Sequence, residues 1–174
     1  MRNWCWVLLF LFATLMSAGC SAPHASSSEP RSLTPASASA VQDGVRAFTR
    51  TVAHDVTQDG PAAWRRHFSD TPSFFMAAEG QLAFPNSPAA TAGIQSLART
   101  IKQVELRWGD DLRVDPLAPD LAVVATSYHE VRVNTTGQRV EEDGFFTGVA
   151  EYREGRWQFR NAHWSLPVPP PPVQ

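Results

Sequence analysis

Four long runs of alternating apolar and polar residues, joined by short turns, fill the C-terminal part of this chain and leave few folds open to it. The runs are Val104 to Val114, Leu121 to Val133, Gln138 to Tyr152 and Arg156 to Trp164. Between them lie Asp115-Pro116-Leu117-Ala118-Pro119-Asp120, Asn134-Thr135-Thr136-Gly137 and the tight hairpin signal Glu154-Gly155. A parallel pair would need a crossover of about a dozen residues or more, which these turns cannot supply. The pattern therefore predicts an antiparallel meander, and strands this long curve as they twist. One face of such a sheet must be covered.

The cover is legible upstream. Val41, Val45, Phe48, Val52 and Val56 recur every three or four residues, which predicts an amphipathic helix from about Ala40 to Thr57. Asp59-Gly60-Pro61 breaks it, and a short second helix carries Trp64 and Phe68 one turn apart. Asp70-Thr71-Pro72 ends that helix. Ser73 to Ala78 and Gln81 to Phe84 read as a small hairpin across Glu79-Gly80. Ser87-Pro88 starts a third helix, with Ser87 as the capping hydroxyl and Ile94, Leu97, Ala98 and Ile101 as its buried stripe. The fold class is α+β: three helices packed on a curved, mainly antiparallel sheet.

Both ends differ from this core. Arg2 precedes an uncharged stretch from Trp4 to Met16, shorter than the ~20 residues of a membrane span. It runs into Leu15-Met16-Ser17-Ala18-Gly19-Cys20, which resembles a bacterial lipobox. Residues 1–19 then form a cleaved signal, and lipid on Cys20 tethers the chain to a membrane of the cell envelope. Ser17 stands where that pattern prefers Leu, so cleavage without lipid stays open, leaving a soluble secreted chain. Residues 20–40, rich in Ser, Ala and Pro, read as a flexible tether before a domain at 41–166. Residues 167–174 read as an extended Pro-rich tail. The only other cysteine, Cys5, lies in the signal, so the mature domain has no thiol for redox or nucleophilic work. A formal net charge of −2 with no basic stripe argues against nucleic acid as a partner.

The order of two helices, a hairpin, a third helix and a long meander resembles the nuclear transport factor 2-like superfamily, and within it the SnoaL-like (polyketide-cyclase-like) domains. The resemblance covers Val41 to Leu166. Its local marks are Phe68-Ser69-Asp70, the hairpin Gly155-Arg156-Trp157-Gln158-Phe159 and the ending Asn161-Ala162-His163-Trp164-Ser165. It implies a cone-shaped α+β barrel whose sheet bends around the helices, with a pocket between the sheet and the long first helix. It also implies dimerisation through the outer sheet face, where Trp164, Tyr152 and Phe146 would supply apolar area. That superfamily hosts isomerases, dehydratases, cyclases, epoxide hydrolases and members without chemistry, so the fold does not give the function.

Alternation puts Trp157, Phe159, Asn161, His163 and Ser165 on one face of the last strand, and its apolar start turns that face inward. His163 is then the candidate acid or base beside Asn161. On the second long strand two parities stay open. One sends His129 inward to share the pocket with His163, and the other sends Tyr128 and Glu130 inward. No third ligand at a recognised spacing accompanies the two histidines, so no metal is expected, and no cofactor either. His54 and Asp55 are adjacent on a helix and cannot face each other, and His67 reads as an edge residue. The resemblance to ketosteroid isomerases places a carboxylate base near Phe75 to Ala77 and a tyrosine in the stretch Phe48 to Val52, and this chain has neither.

The expected ligand-binding set is Trp64, Phe68, Met76, Trp108, Tyr128, Phe145, Asn161 and His163. An aromatic lining without the carboxylate base points to binding of a small apolar or amphipathic molecule, without catalysis. The alternatives are a pocket lyase or isomerase using His163 with His129 or Tyr128, and a homodimeric interaction module.

Overall fold

A computed structural model describes residues 33–167 of the 174 in the chain. The expected signal segment, Cys20 and the tail from 168 onward lie outside the described residues. Helix α1 spans Pro35–Asp59, and a 3-10 turn at Pro61–Ala63 leads into the single-turn helix α2, Trp64–His67. Strands β1 (Phe75–Ala78) and β2 (Gln81–Phe84) form the hairpin, and α3 follows at Ser87–Thr100. The remaining strands are β3 (Ile101–Trp108), β4 (Arg113–Ala118), β5 (Leu121–Asn134), β6 (Arg139–Arg153) and β7 (Arg156–Ser165). Among the described residues no helix is long and apolar enough to cross a membrane.

All seven strands join one sheet in the order β2-β1-β7-β6-β5-β3, with β4 also paired to β5. Every pairing is antiparallel except β1 with β7. The sheet curves around the three helices, giving the expected α+β cone. Glu79 and Gly80, and again Glu154 and Gly155, hold both central turn positions at positive φ. Two-residue hairpins need that geometry.

Three expectations about the elements are corrected. First, α1 begins at Pro35, so residues 35–40 are helical rather than tether. The Thr34 side chain accepts from the Ser37 amide at 3.1 Å and Pro35 occupies the first turn, which starts the helix ahead of its buried stripe. Second, α3 is capped by Asn86, whose Oδ1 accepts from the Ala89 amide at 2.9 Å, and Ser87 is already helical. Third, the first long run is two strands. Asp111 folds back on β5, where its Oδ1 accepts from the Ser127 amide at 2.9 Å and from the Ser127 hydroxyl at 2.8 Å. These bonds hold the Asp111 carboxyl below its ordinary range, led by the Ser127 amide. Gly109 permits the fold-back, since a Cβ there would lie 2.0 Å from the Ser127 hydroxyl.

Helix α1 is seated on β3 and β4. Its stripe Val41, Val45, Phe48, Val52 and Val56 is buried as expected. Four hydrogen bonds between side chains and backbone fix its axis. Trp108 Nε1 donates to the Thr49 carbonyl at 2.8 Å, and Thr57 Oγ1 accepts from the Leu106 amide at 3.1 Å. Arg46 donates to the Leu112 carbonyl at 3.0 Å and Gln42 to the Val114 carbonyl at 3.4 Å.

A bulge in β7 decides what its far end presents. Phe159 pairs with Ala150 and Asn161 with the adjacent Val149, so Arg160 is an extra residue without a partner. Beyond it the alternation is shifted by one. Ala162 and Trp164 point inward and His163 is exposed, the reverse of the expected parity. Asn161 Oδ1 accepts from the Val149 amide at 3.2 Å, so its side chain stabilises the bulge instead of lining a pocket.

Candidate functional site

A cavity of about 200 Å³ lies between the sheet, α2, α3 and the β1–β2 hairpin. Helix α1 contributes nothing to its lining, contrary to expectation, because its hydrogen bonds to β3 and β4 seat it flat on the sheet. Trp64 and Phe68 form one wall as a stacked pair with ring centres 5.3 Å apart. Trp164 meets Trp64 edge-on at 5.4 Å and Tyr128 at 4.7 Å. Met76 and Phe84 close the hairpin side, and Ile94 and Leu97 the α3 side. Leu97, expected in the buried stripe, is 40% exposed because it stands at the cavity wall rather than against packed core.

The polar end comes from β5. Its even-numbered residues face inward, so Tyr128, Glu130 and Arg132 line the cavity in succession. Of the two parities left open by the sequence, the structure takes the one with the phenol and the carboxylate. Arg132 Nε lies 3.2 Å from Glu130, and its Nη2 contacts Glu142 of β6. Burial pushes the Glu130 carboxyl above its ordinary value; Arg132 opposes that shift and Glu142 adds to it. Burial, then the charges of Glu130, Glu142 and Glu79, pushes the Tyr128 phenol up to about 12. The Tyr128 hydroxyl lies over Gly144, where a Cβ would approach it to 2.4 Å.

Of the expected binding residues, Trp64, Phe68, Met76 and Tyr128 line the cavity. The other four do not. Trp108 is packed between Trp164 and Phe146 and is held to the Thr49 carbonyl. Phe145 is 44% exposed on the outer face, and the β7 bulge sends Asn161 and His163 to that face beside Phe75 and Val149. His129 is also on the outer face, with Nδ1 at 2.8 Å from Asp143 and Nε2 at 3.2 Å from Glu141. The two candidate catalytic histidines therefore share no pocket with each other or with the cone cavity. Phe146 is fully buried and Trp164 faces inward, so of the three residues expected to offer apolar area outside only Tyr152 does so. Among the described residues no group of three or more acidic, histidine or cysteine side chains is arranged to hold a metal.

Sequence reasoning held Glu130 as one of two open parities and missed Arg132 and Trp164 as lining residues. It also missed a pair outside the cone. His67 is buried, and its Nε2 lies 3.1 Å from Asp55 Oδ2 across the junction of α1 and α2. Burial lowers the His67 pKa, with Asp55 opposing, while the His54 contact leads in lowering that of Asp55. A neutral imidazole donating to Asp55 ties the two helices together. The two residues are 12 apart in sequence, a spacing that no local motif marks.

No family model matches the chain, and no curated protein matches it. Solved structures do. A nuclear transport factor 2-like superfamily protein from Salmonella enterica is 14% identical with a TM-score of 0.65, covering 75% of this chain and 94% of that one. A protein from Novosphingobium aromaticivorans, named for scytalone dehydratase, is 10% identical with a TM-score of 0.64, covering 74% of this chain and 85% of that one. A type 2 hexachlorocyclohexane dehydrochlorinase is 13% identical with a TM-score of 0.59, covering 74% and 86%. At these identities the likeness speaks to fold: this chain has the nuclear transport factor 2-like fold.

Proposed function

We propose that the domain is a binding protein whose cone cavity takes a small amphipathic molecule without catalysis. The observation that carries this reading is an apolar, aromatic cavity with a single polar end at Glu130 and Arg132. None of the described histidines, His54, His67, His129 or His163, belongs to its lining. An engineered cavity of about 150 Å³ binds benzene, so one of about 200 Å³ suits a ring system with one polar group. Indole is a fitting probe. It should raise the melting temperature of the purified chain in a concentration-dependent way. Ala78→Phe, which fills the cavity from β1, should remove that shift. A shift that survives Ala78→Phe, or no shift from any ring compound of this size, contradicts the reading.

One observation favours a second reading. A buried carboxyl with a raised pKa is the kind of group that takes a proton from a carbon acid. Glu130 would then serve in an elimination of the kind that the dehydratase and dehydrochlorinase names imply. Chloride release from hexachlorocyclohexane, or dehydration of scytalone, abolished by Glu130→Gln would replace binding with catalysis.

The address and assembly of the domain are proposals as well. The Leu15 to Cys20 pattern supports export and a lipid anchor on Cys20, which mass spectrometry of the N-terminal peptide would detect. The exposed Phe75 and Phe145 on the outer sheet face support pairing with a second copy. A monomer at high concentration in sedimentation contradicts that pairing.

A further inference from the structure

Resting on the binding reading, we infer that the molecule held in the cone cavity is a cation: an amine carried on a single aromatic ring or a comparably compact apolar body. Glu130 and Glu142 contact Arg132, and Glu79 lines the same cavity, so three carboxylates stand against one guanidinium. Arg132 is the only cationic side chain among the described residues of the lining. Its Nε is committed to Glu130 and its Nη2 to Glu142. Arg65 of α2 donates to the Phe68 carbonyl and the Ser87 hydroxyl. Both guanidinium groups are already engaged by protein acceptors.

An added carboxylate would be a fourth negative charge in a partly desolvated site, where like charges repel strongly. A neutral alcohol would leave the excess negative charge uncompensated. An ammonium group supplies the missing partner for Glu130, with Glu79 at the exposed rim adding attraction at the mouth. The walls act in the same direction. Trp64, Trp164, Phe68 and Tyr128 surround the cavity, and the negative faces of aromatic rings attract organic cations.

The test compares three probes with the same ring and a similar arm: 2-phenylethylamine, 2-phenylethanol and 3-phenylpropanoate, titrated calorimetrically into the purified full chain. At neutral pH the amine should bind about tenfold more tightly than the alcohol, and the carboxylate more weakly than both. Glu130→Gln should bring the amine to within about threefold of the alcohol. Glu79→Gln, at the exposed rim, should lower amine affinity by a smaller factor and serves if the Glu130 variant does not fold. Alcohol or carboxylate binding as tight as the amine overturns the inference and leaves the cavity a binding site. Failure of all three probes overturns the inference, and the indole titration then decides independently whether the cavity binds anything.

Discussion

The two halves of the concave sheet face are closed by different means. Over β3 and β4, a 25-residue helix with an unbroken valine and phenylalanine stripe is fixed by four side-chain-to-backbone hydrogen bonds. Over β1, β7 and the far end of β5, the cover is a one-turn helix, the moderate α3 and a four-residue hairpin strand pair. That cover leaves the cavity, and the polar residues Tyr128, Glu130 and Arg132 face into it. Length and directional bonds make a closed interface. Short elements held by aromatic contacts leave a volume that a ligand can use.

The contrast predicts unequal responses to truncation. Phe48→Ala in the buried stripe of α1 should cost about 3–4 kcal/mol in denaturant unfolding, because its ring sits against Phe159 and His67 and leaves a void. Leu97→Ala at the cavity wall should cost less than about 1 kcal/mol, since a half-exposed side chain that borders empty space gives up few contacts. Equal losses would mean that the cavity side is as tightly packed as the helix α1 side.

Charge gives the next effect. The Glu130 pKa is raised, so the folded state holds that proton more tightly than the unfolded chain. This contribution is present below the unfolded value of about 4.3 and is lost as pH rises through the folded value. At neutral pH the buried carboxylate is therefore a liability, and Glu130→Gln should stabilise the chain by about 1 kcal/mol at pH 7.5 and by less at pH 4. A destabilised variant would mean that the pair with Arg132 outweighs burial.

The smallest effect belongs to the junction of the two covers, where His67 of α2 meets Asp55 of α1. The His67 pKa is lowered, so its contribution is intact above the unfolded value of about 6.5 and falls away as pH drops through the folded value. Melting temperature should decline between pH 7 and pH 5, and His67→Gln should flatten that decline. An unchanged slope in the variant would separate the Asp55–His67 pair from the acid sensitivity of the helix junction.

These contrasts also explain what could be read from the sequence. The long strands and their turns were legible because side chains alternate and turn residues punctuate them, and the α1 stripe because its period is unbroken from Val41 to Val56. Two local devices broke the rules that the reading relied on. The Arg160 bulge reversed the faces of Asn161, His163 and Trp164, and no residue type marks a bulge in advance. The Asp111 fold-back split one apparent strand into β3 and β4. The parity of β5 was undecidable because Val131 is buried although its neighbours Glu130 and Arg132 face inward. The Asp55–His67 pair joins two helices whose approach depends on packing. Half of the expected binding residues line the cavity for the same reason: Trp64, Phe68 and Met76, around α2 and on β1, follow local pattern, and the positions on β6 and β7 depend on register.

The central claim is that ligands enter the cone and that the outer face around His163 is not the site. Titrating the isotope-labelled full chain with indole and following its amide and indole N–H resonances tests this directly. The account predicts shifts clustered at Trp64, Met76, Tyr128 and Trp164, with Phe75, Phe145 and His163 unmoved. Shifts confined to Phe75, Phe145 and His163, with the cone residues still, would contradict it.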